Sequence, residues 1–315
     1  MINRILIRLK IIQIVYAFYV NGSERLESAE KELFFSLSKA YDLYQYFLLL
    51  IVAVTNYAQR RIEAGLEKNF PTEEERNPNK KFINNRLANQ MRENAQLSEF
   101  AGKLKKTWED EDKLIRGLYE AIIESDTYKK YMASEENSYE EDRELWRKLY
   151  KDFVTKNDSF DSFIEEGSLY WNDDKDLIDT FVLKTIKMFK EENGADQPLL
   201  PEYHDEEDRV FASRLFVKAI TNEDYYRHLI SETARRNWEF DRIAFMDIVI
   251  MQCALAEMLS FPNIPISVTL NEYIELAKCY STNQSAGFIN GTLDAIAHRL
   301  VKEGKLNKKD LKNTK

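Results

Sequence analysis

Residues 237–300, NWEFDRIAFMDIVIMQCALAEMLSFPNIPISVTLNEYIELAKCYSTNQSAGFINGTLDAIAHRL, divide into three consecutive helices. The first is expected to open at Asp241, whose carboxylate can accept backbone N–H bonds as an N-cap. Ile243, Met246, Ile250, Cys253 and Leu255 do not fall on one stripe, so this helix reads as buried on all sides. Pro262 and Pro265 bracket the loop that follows, because neither fits a helix interior. The second helix carries Asn271, Glu272, Glu275, Leu276, Ala277 and Lys278, and the third opens around Phe288, Ile289, Asn290 and Gly291. Glu275 and Lys278 stand three apart and are expected to pair. Asn271 and Glu272 are expected to hold the preceding loop by capping bonds, and Gly291 to permit close helix approach.

Outward from this stretch the composition agrees with helices. Gly 9 and Pro 6 in 315 residues argue against all-β and Gly-rich nucleotide-binding architectures. Two cysteines, Cys253 and Cys279, sit in apolar helical context, which suits a reducing cytoplasm rather than a disulfide framework. Residues 1–20 are apolar, yet Arg4, Arg8 and Lys10 interrupt them and no small-residue cleavage site follows. The apolar run at 46–54 falls short of the ~20 residues that span a bilayer, so no membrane association is expected. The net charge is −9, but residues 66–208 hold 36 acidic and 22 basic residues, leaving the remainder mildly basic. Phosphate contact needs local positive charge only, so the global sign does not exclude nucleic acid.

From the start, residues 3–20 read as a helix with Arg4 and Arg8 one turn apart on one face. A long helix follows over 24–64, roughly 60 Å, expected to protrude or bend. Pro71, Pro78 and a glutamate run mark a linker. Further helices are expected at 82–107, 112–132, 139–155, 158–167, 174–192 and 205–221, the last containing Arg209, Arg214 and Lys218. The middle echoes the end of the chain: LYKDFVTKNDSFDSFI (149–164) matches LFVKAITNEDYYRHLI (215–230) at an offset of 66, and Asp142-Arg143 falls opposite Asp208-Arg209. This pattern points to duplication of one helical unit. The tail from 304 onward is basic and reads as a solvated end.

Catalysis has little support. His204, His228 and His298 are scattered, and no CxxC, HExxH, P-loop or GxSxG pattern occurs. No metal, cofactor or enzymatic activity is expected.

The NExxELAK helix followed by FxNGxLDxIA resembles the NusB family, small all-helical RNA-binding proteins of bacterial transcription antitermination and rRNA synthesis. The likeness reaches back to about residue 208 and, more weakly, into the first 60 residues, where Gln13 to Tyr16 resemble a QALY-like run. The resemblance implies an all-α, NusB-like helical bundle with an additional helical middle segment. Residues 1–65 would form its N-terminal helices, 66–207 an acidic insertion, 208–303 its C-terminal subdomain and 304–315 a basic tail. It also implies binding of boxA-type single-stranded RNA jointly with the ribosomal protein that serves as NusE, in a transcription elongation complex. RNA contacts would come from Arg4, Arg8, Lys10 and Tyr16 and from Asn283, Gln284, Ser285 and Phe288, the Phe288 ring stacking on an unpaired base. The alternatives are a buried first helix whose arginines reach out to solvent, and a Phe288 packed against Ile289 and Leu293. NusE would dock around Trp238, Arg242 and Glu257. A helical protein–protein scaffold that has lost RNA binding is the rival reading, favoured by the thin arginine cluster. An RNA-binding appendage of an rRNA cytosine methyltransferase would need a sheet-rich cofactor domain that is not present.

Overall fold

The computed structural model describes residues 1–234, 243–280 and 283–306, the side chain of residue 283 excepted. Every regular element among them is helical, and the sole β feature is an isolated parallel bridge between Ile2 and Tyr203. Contacts divide the chain into two units, one of Met1 with Ser38–Glu202 and one of Ile2–Leu37 with Tyr203–Lys315. The expected boundary near residue 65 is the end of a helix; the contacts break instead after Leu37.

Helices α1 (Arg4–Val20) and α2 (Leu26–Leu66) open the chain. Asn3 starts α1 by accepting a hydrogen bond from the Leu6 backbone N–H at 3.0 Å. The apolar window of α2 is long enough to cross a membrane by length and composition, but 67% of it is buried inside the protein, as in a core helix.

The unit of residues 38–202 adds α3 (Glu73–Arg76), α4 (Arg86–Glu93), α5 (Ala95–Ala101), α6 (Asp112–Glu124), α7 (Asp126–Ala133), α8 (Tyr139–Phe153), α9 (Asp158–Gly167) and α10 (Lys175–Met188). The helix expected over 82–107 is broken. The Asn94 side chain accepts from Leu97 N–H and donates to Gln197 O, ending α4 and starting α5. The one expected over 112–132 breaks at Ser125, whose hydroxyl accepts from Tyr128 N–H. The core is aromatic: Trp108 lies 4.4 Å from Tyr46 and donates its indole N–H to Tyr46 O at 2.7 Å. Two of its buried carboxylates are held by side-chain and backbone donors. Asp142 accepts from Arg86 N–H at 2.8 Å and from Tyr131 O–H at 2.5 Å, and Asp179 from Tyr150 O–H at 2.6 Å and Lys175 Nζ at 3.1 Å.

The second unit adds α11 (Glu206–Thr221), α12 (Glu223–Ala234), α13 (Phe245–Ser260), α14 (Ile266–Tyr280) and α15 (Asn283–Lys302). Asp241 lies outside the described residues, and α13 begins at Phe245 without a side-chain cap. From Asp247 to Met258 every residue of α13 is buried, because α1, α11, α12, α14 and α15 all pack on it. At the offset of 66, Asp142, Leu145, Trp146, Leu149 and Tyr150 of α8 and Asp208, Phe211, Ala212, Leu215 and Phe216 of α11 are buried alike. An Asn-capped helix packs on each: α4, capped by Asn85, on α8, and α1, capped by Asn3, on α11.

Candidate nucleic-acid interface

Helix α1 turns its cations in different directions. Arg4 lies 3.2 Å from Asp208 and 5.0 Å from the Phe211 ring centre, with 42% of its side chain still exposed. One turn later Arg8 points inward, its side chain only 4% exposed. Its Nε and Nη2 donate to the two oxygens of the fully buried Glu257 at 2.7 and 3.0 Å, a bidentate pair, and Nη1 donates to Glu272 at 3.2 Å. Thr269 donates its hydroxyl to Glu257 at 2.8 Å. Burial opposes the Arg8 charge, but the Glu257 hydrogen bonds and charge, with Glu272, outweigh it and raise the guanidinium pKa. Burial, with Glu257 adding to it, likewise pushes the enclosed Tyr273 hydroxyl well up.

Three expectations are corrected here. Arg8 and Lys10 are buried, so neither presents a cation to RNA. Glu257 is consumed by Arg8 and Thr269 and is closed to a docking partner. Glu272 closes an ion pair with Arg8 rather than capping its loop. The pairing of Glu275 with Lys278, by contrast, is present at 2.5 Å. Trp238 and Arg242 lie outside the described residues, as does the side chain of Asn283.

The far end of α1 meets the end of α14. Gln13 donates to the Tyr280 hydroxyl at 2.9 Å, and the half-exposed Tyr16 packs 5.5 Å from Phe245. Helix α15 starts three residues after Tyr280. Ala286, Ile289 and Leu293 fill its inner face, while Gln284, Gly287, Asn290 and Gly291 are exposed and Ser285 and Phe288 half-exposed. Ile289 and Leu293 occupy the core, and the Phe288 ring sits at its edge rather than sealed within it. Gly291 does not serve close packing among the described residues: a Cβ there, or at Gly287, would meet none of them within 4 Å. Two mid-helix glycines with open space above them leave bare backbone on the outer face, at a cost of roughly 1 kcal/mol each relative to alanine.

Sequence reasoning missed which cations stay outside. Arg214 and Lys218 are exposed on α11, and their i, i+4 spacing was the available signal. Arg227 is held at 2.7 Å from Glu223 and lies over the Tyr19 ring at 4.6 Å. The three histidines are exposed, each beside a single carboxylate. Among the described residues no group of His, Cys, Asp or Glu is arranged to hold a metal.

Comparison with known proteins bears on the same residues. The profile of the NusB family matches residues 182–298. The transcription antitermination protein NusB of Salinibacter ruber is 37% identical over 133 residues, covering 40% of this chain and 82% of that protein. That of Geotalea daltonii is 37% identical over 135 residues, 42% of this chain and 88% of its own. That of Natranaerobius thermophilus is 44% identical over 71 residues, 22% of this chain and 51% of its own. No solved structure matches the chain.

Proposed function

Because this chain belongs to the NusB family, we propose that it is a transcription antitermination factor without enzymatic activity. In this reading it works in the cytoplasm, binding boxA-type single-stranded RNA together with the ribosomal protein NusE to support rRNA synthesis. The observation that carries the reading is the half-exposed Phe288 on the first turns of α15, flanked by Gln284 and Ser285 and by the open backbone at Gly287 and Gly291. A ring so placed can stack on an unpaired base, and free N–H groups at the helix start favour phosphate. Arg4 remains the α1 cation available to RNA, and Tyr16 lies toward the other end of that helix. With Glu257 enclosed, the NusE-facing surface is assigned to the half-exposed Phe245 and Met246 beside Tyr16.

The unit of residues 38–202 is read as a second, truncated copy of the α1–α11–α12–α13 arrangement. It has no helix pair after α10 corresponding to α14 and α15, and hence no counterpart of the Phe288 surface. The outer residues of α10, Asp176, Thr180, Lys184 and Lys187, are correspondingly exposed and mostly charged.

The test is a titration of boxA-type RNA, with and without NusE, at several salt concentrations. Phe288→Ala is expected to weaken binding by about 1–3 kcal/mol, roughly 5- to 150-fold. Arg4→Ala should reduce the salt slope by about one. The burial of Arg8 and Lys10 favours the rival reading, a helical scaffold without RNA binding. RNA affinity that is negligible, or insensitive to salt and to Phe288→Ala, would establish that rival.

A further inference from the structure

A groove of about 470 Å³ runs along the N-terminal half of α11, walled on its other side by the 261–264 loop between α13 and α14. Its size lies within the ~300–1,000 Å³ usual for binding pockets. The floor is an aromatic pair, Phe211 against Phe261 with ring centres 4.8 Å apart. Arg4 lies over the first ring, and Arg214 lies 5.0 Å above the second. These stacked guanidinium groups hold the rings and their own heads in place. Between them Val210 is 57% exposed, and the exposed Pro262 and the edge of the buried Ile264 complete an apolar middle.

The charges at the two ends differ in sign. Glu206 and Glu207, exposed in the first turn of α11, stand at one end, and the exposed Arg214, about 11 Å further along the helix, stands at the other. None of the three forms an ion pair among the described residues. The groove is therefore apolar in the centre, negative at one end and positive at the other. A polyanion would have to pass the two glutamates, so charge complementarity disfavours nucleic acid here. The matching ligand has the opposite order: cation, apolar anchor, anion.

We propose that this groove docks a short peptide segment of a protein partner, an aliphatic side chain seated on Val210, Pro262 and Ile264. A lysine or arginine of the segment faces Glu206 and Glu207, and an aspartate or glutamate faces Arg214. The aliphatic anchor supplies contact area, and the two charge pairs fix the order cation, anchor, anion along the groove and reject segments with interleaved charges. The surface is separate from Phe288, and although Arg4 lies both in its floor and in the proposed RNA path, the test reads Val210, Ile264 and Arg214, which the RNA reading does not use.

The experiment uses the full chain with isotope-labelled Val and Ile methyl groups and reads the Val210 and Ile264 resonances. The probe is the synthetic peptide Lys-Lys-Ala-Leu-Leu-Ala-Glu-Glu, against a control of identical composition with its lysines and glutamates interleaved. Saturable shifts at both methyls with the first peptide are expected, with little response to the control. Arg214→Glu should weaken binding about tenfold, and a peptide whose glutamates are replaced by lysine should recover it in that variant. Phe288→Ala should bind the peptide as the wild type does. Equal response to both peptides, no shift at millimolar concentration, or shifts at Val210 produced by single-stranded RNA and not by peptide would each overturn the proposal.

Discussion

Replacing Arg8 by methionine distinguishes an internal brace from an RNA-binding cation. The Arg8 side chain is 4% exposed and Glu257 is fully buried, so the variant leaves a carboxylate inside the protein with the Thr269 hydroxyl as its remaining side-chain donor among the described residues. Breaking a buried pair from one side costs about 3–5 kcal/mol. That is a large share of the ~5–15 kcal/mol that holds a typical domain folded. The loss should appear as a lower urea midpoint by circular dichroism and as faster amide hydrogen exchange across residues 248–258, the part of α13 that Glu257 anchors. The double variant Arg8→Met/Glu257→Leu removes both charges and should recover most of the loss, because two apolar side chains of similar volume need no partner. Unchanged exchange in Arg8→Met, with RNA binding weakened instead, would refute the reasoning and return Arg8 to the surface.

Two further outcomes follow from the same geometry. Gly287→Ala and Gly291→Ala should each raise the stability of α15 by about 0.5–1 kcal/mol, since a Cβ meets nothing there, while weakening boxA-type RNA if the strand lies against this backbone; thermal unfolding and RNA titration read the two effects. Burial raises the pKa of Asp179 despite the opposing bonds from Tyr150 and Lys175, so its contribution to stability is full below the ordinary aspartate pKa of about 3.9 and is lost as pH rises through the raised value. The stability advantage of the wild type over Asp179→Asn should therefore shrink as pH increases from about 4, and a constant difference in urea midpoints across that range would contradict it.

Much of this protein is written locally. The all-round apolar pattern after Asp241 is enclosed from 247 to 258, with Ile243 and Met246 left half-buried, and the offset of 66 aligned buried positions in α8 and α11, because helical periodicity depends only on near neighbours along the chain. Local chemistry can also override periodicity, as at Asn94 and Ser125. There, a side-chain acceptor for the third following N–H splits what the hydrophobic spacing reads as one helix. Asn and Ser favour such breaks, but the residue type alone does not decide whether an interior one continues a helix or starts a new one.

What the sequence could not decide is which side of α1 is covered. Arg4 and Arg8 share a face by spacing, yet the first ends beside Asp208 and keeps part of its surface, while the second is enclosed by Glu257 and Glu272, 249 and 264 residues away. The same holds for Gly287 and Gly291, where an added Cβ would meet nothing within 4 Å among the described residues. The amino-acid sequence by itself determined the helical class, the family likeness and the ring at position 288. The tertiary structure decided which charges reach water, since burial is set by distant segments whose arrival no local pattern records.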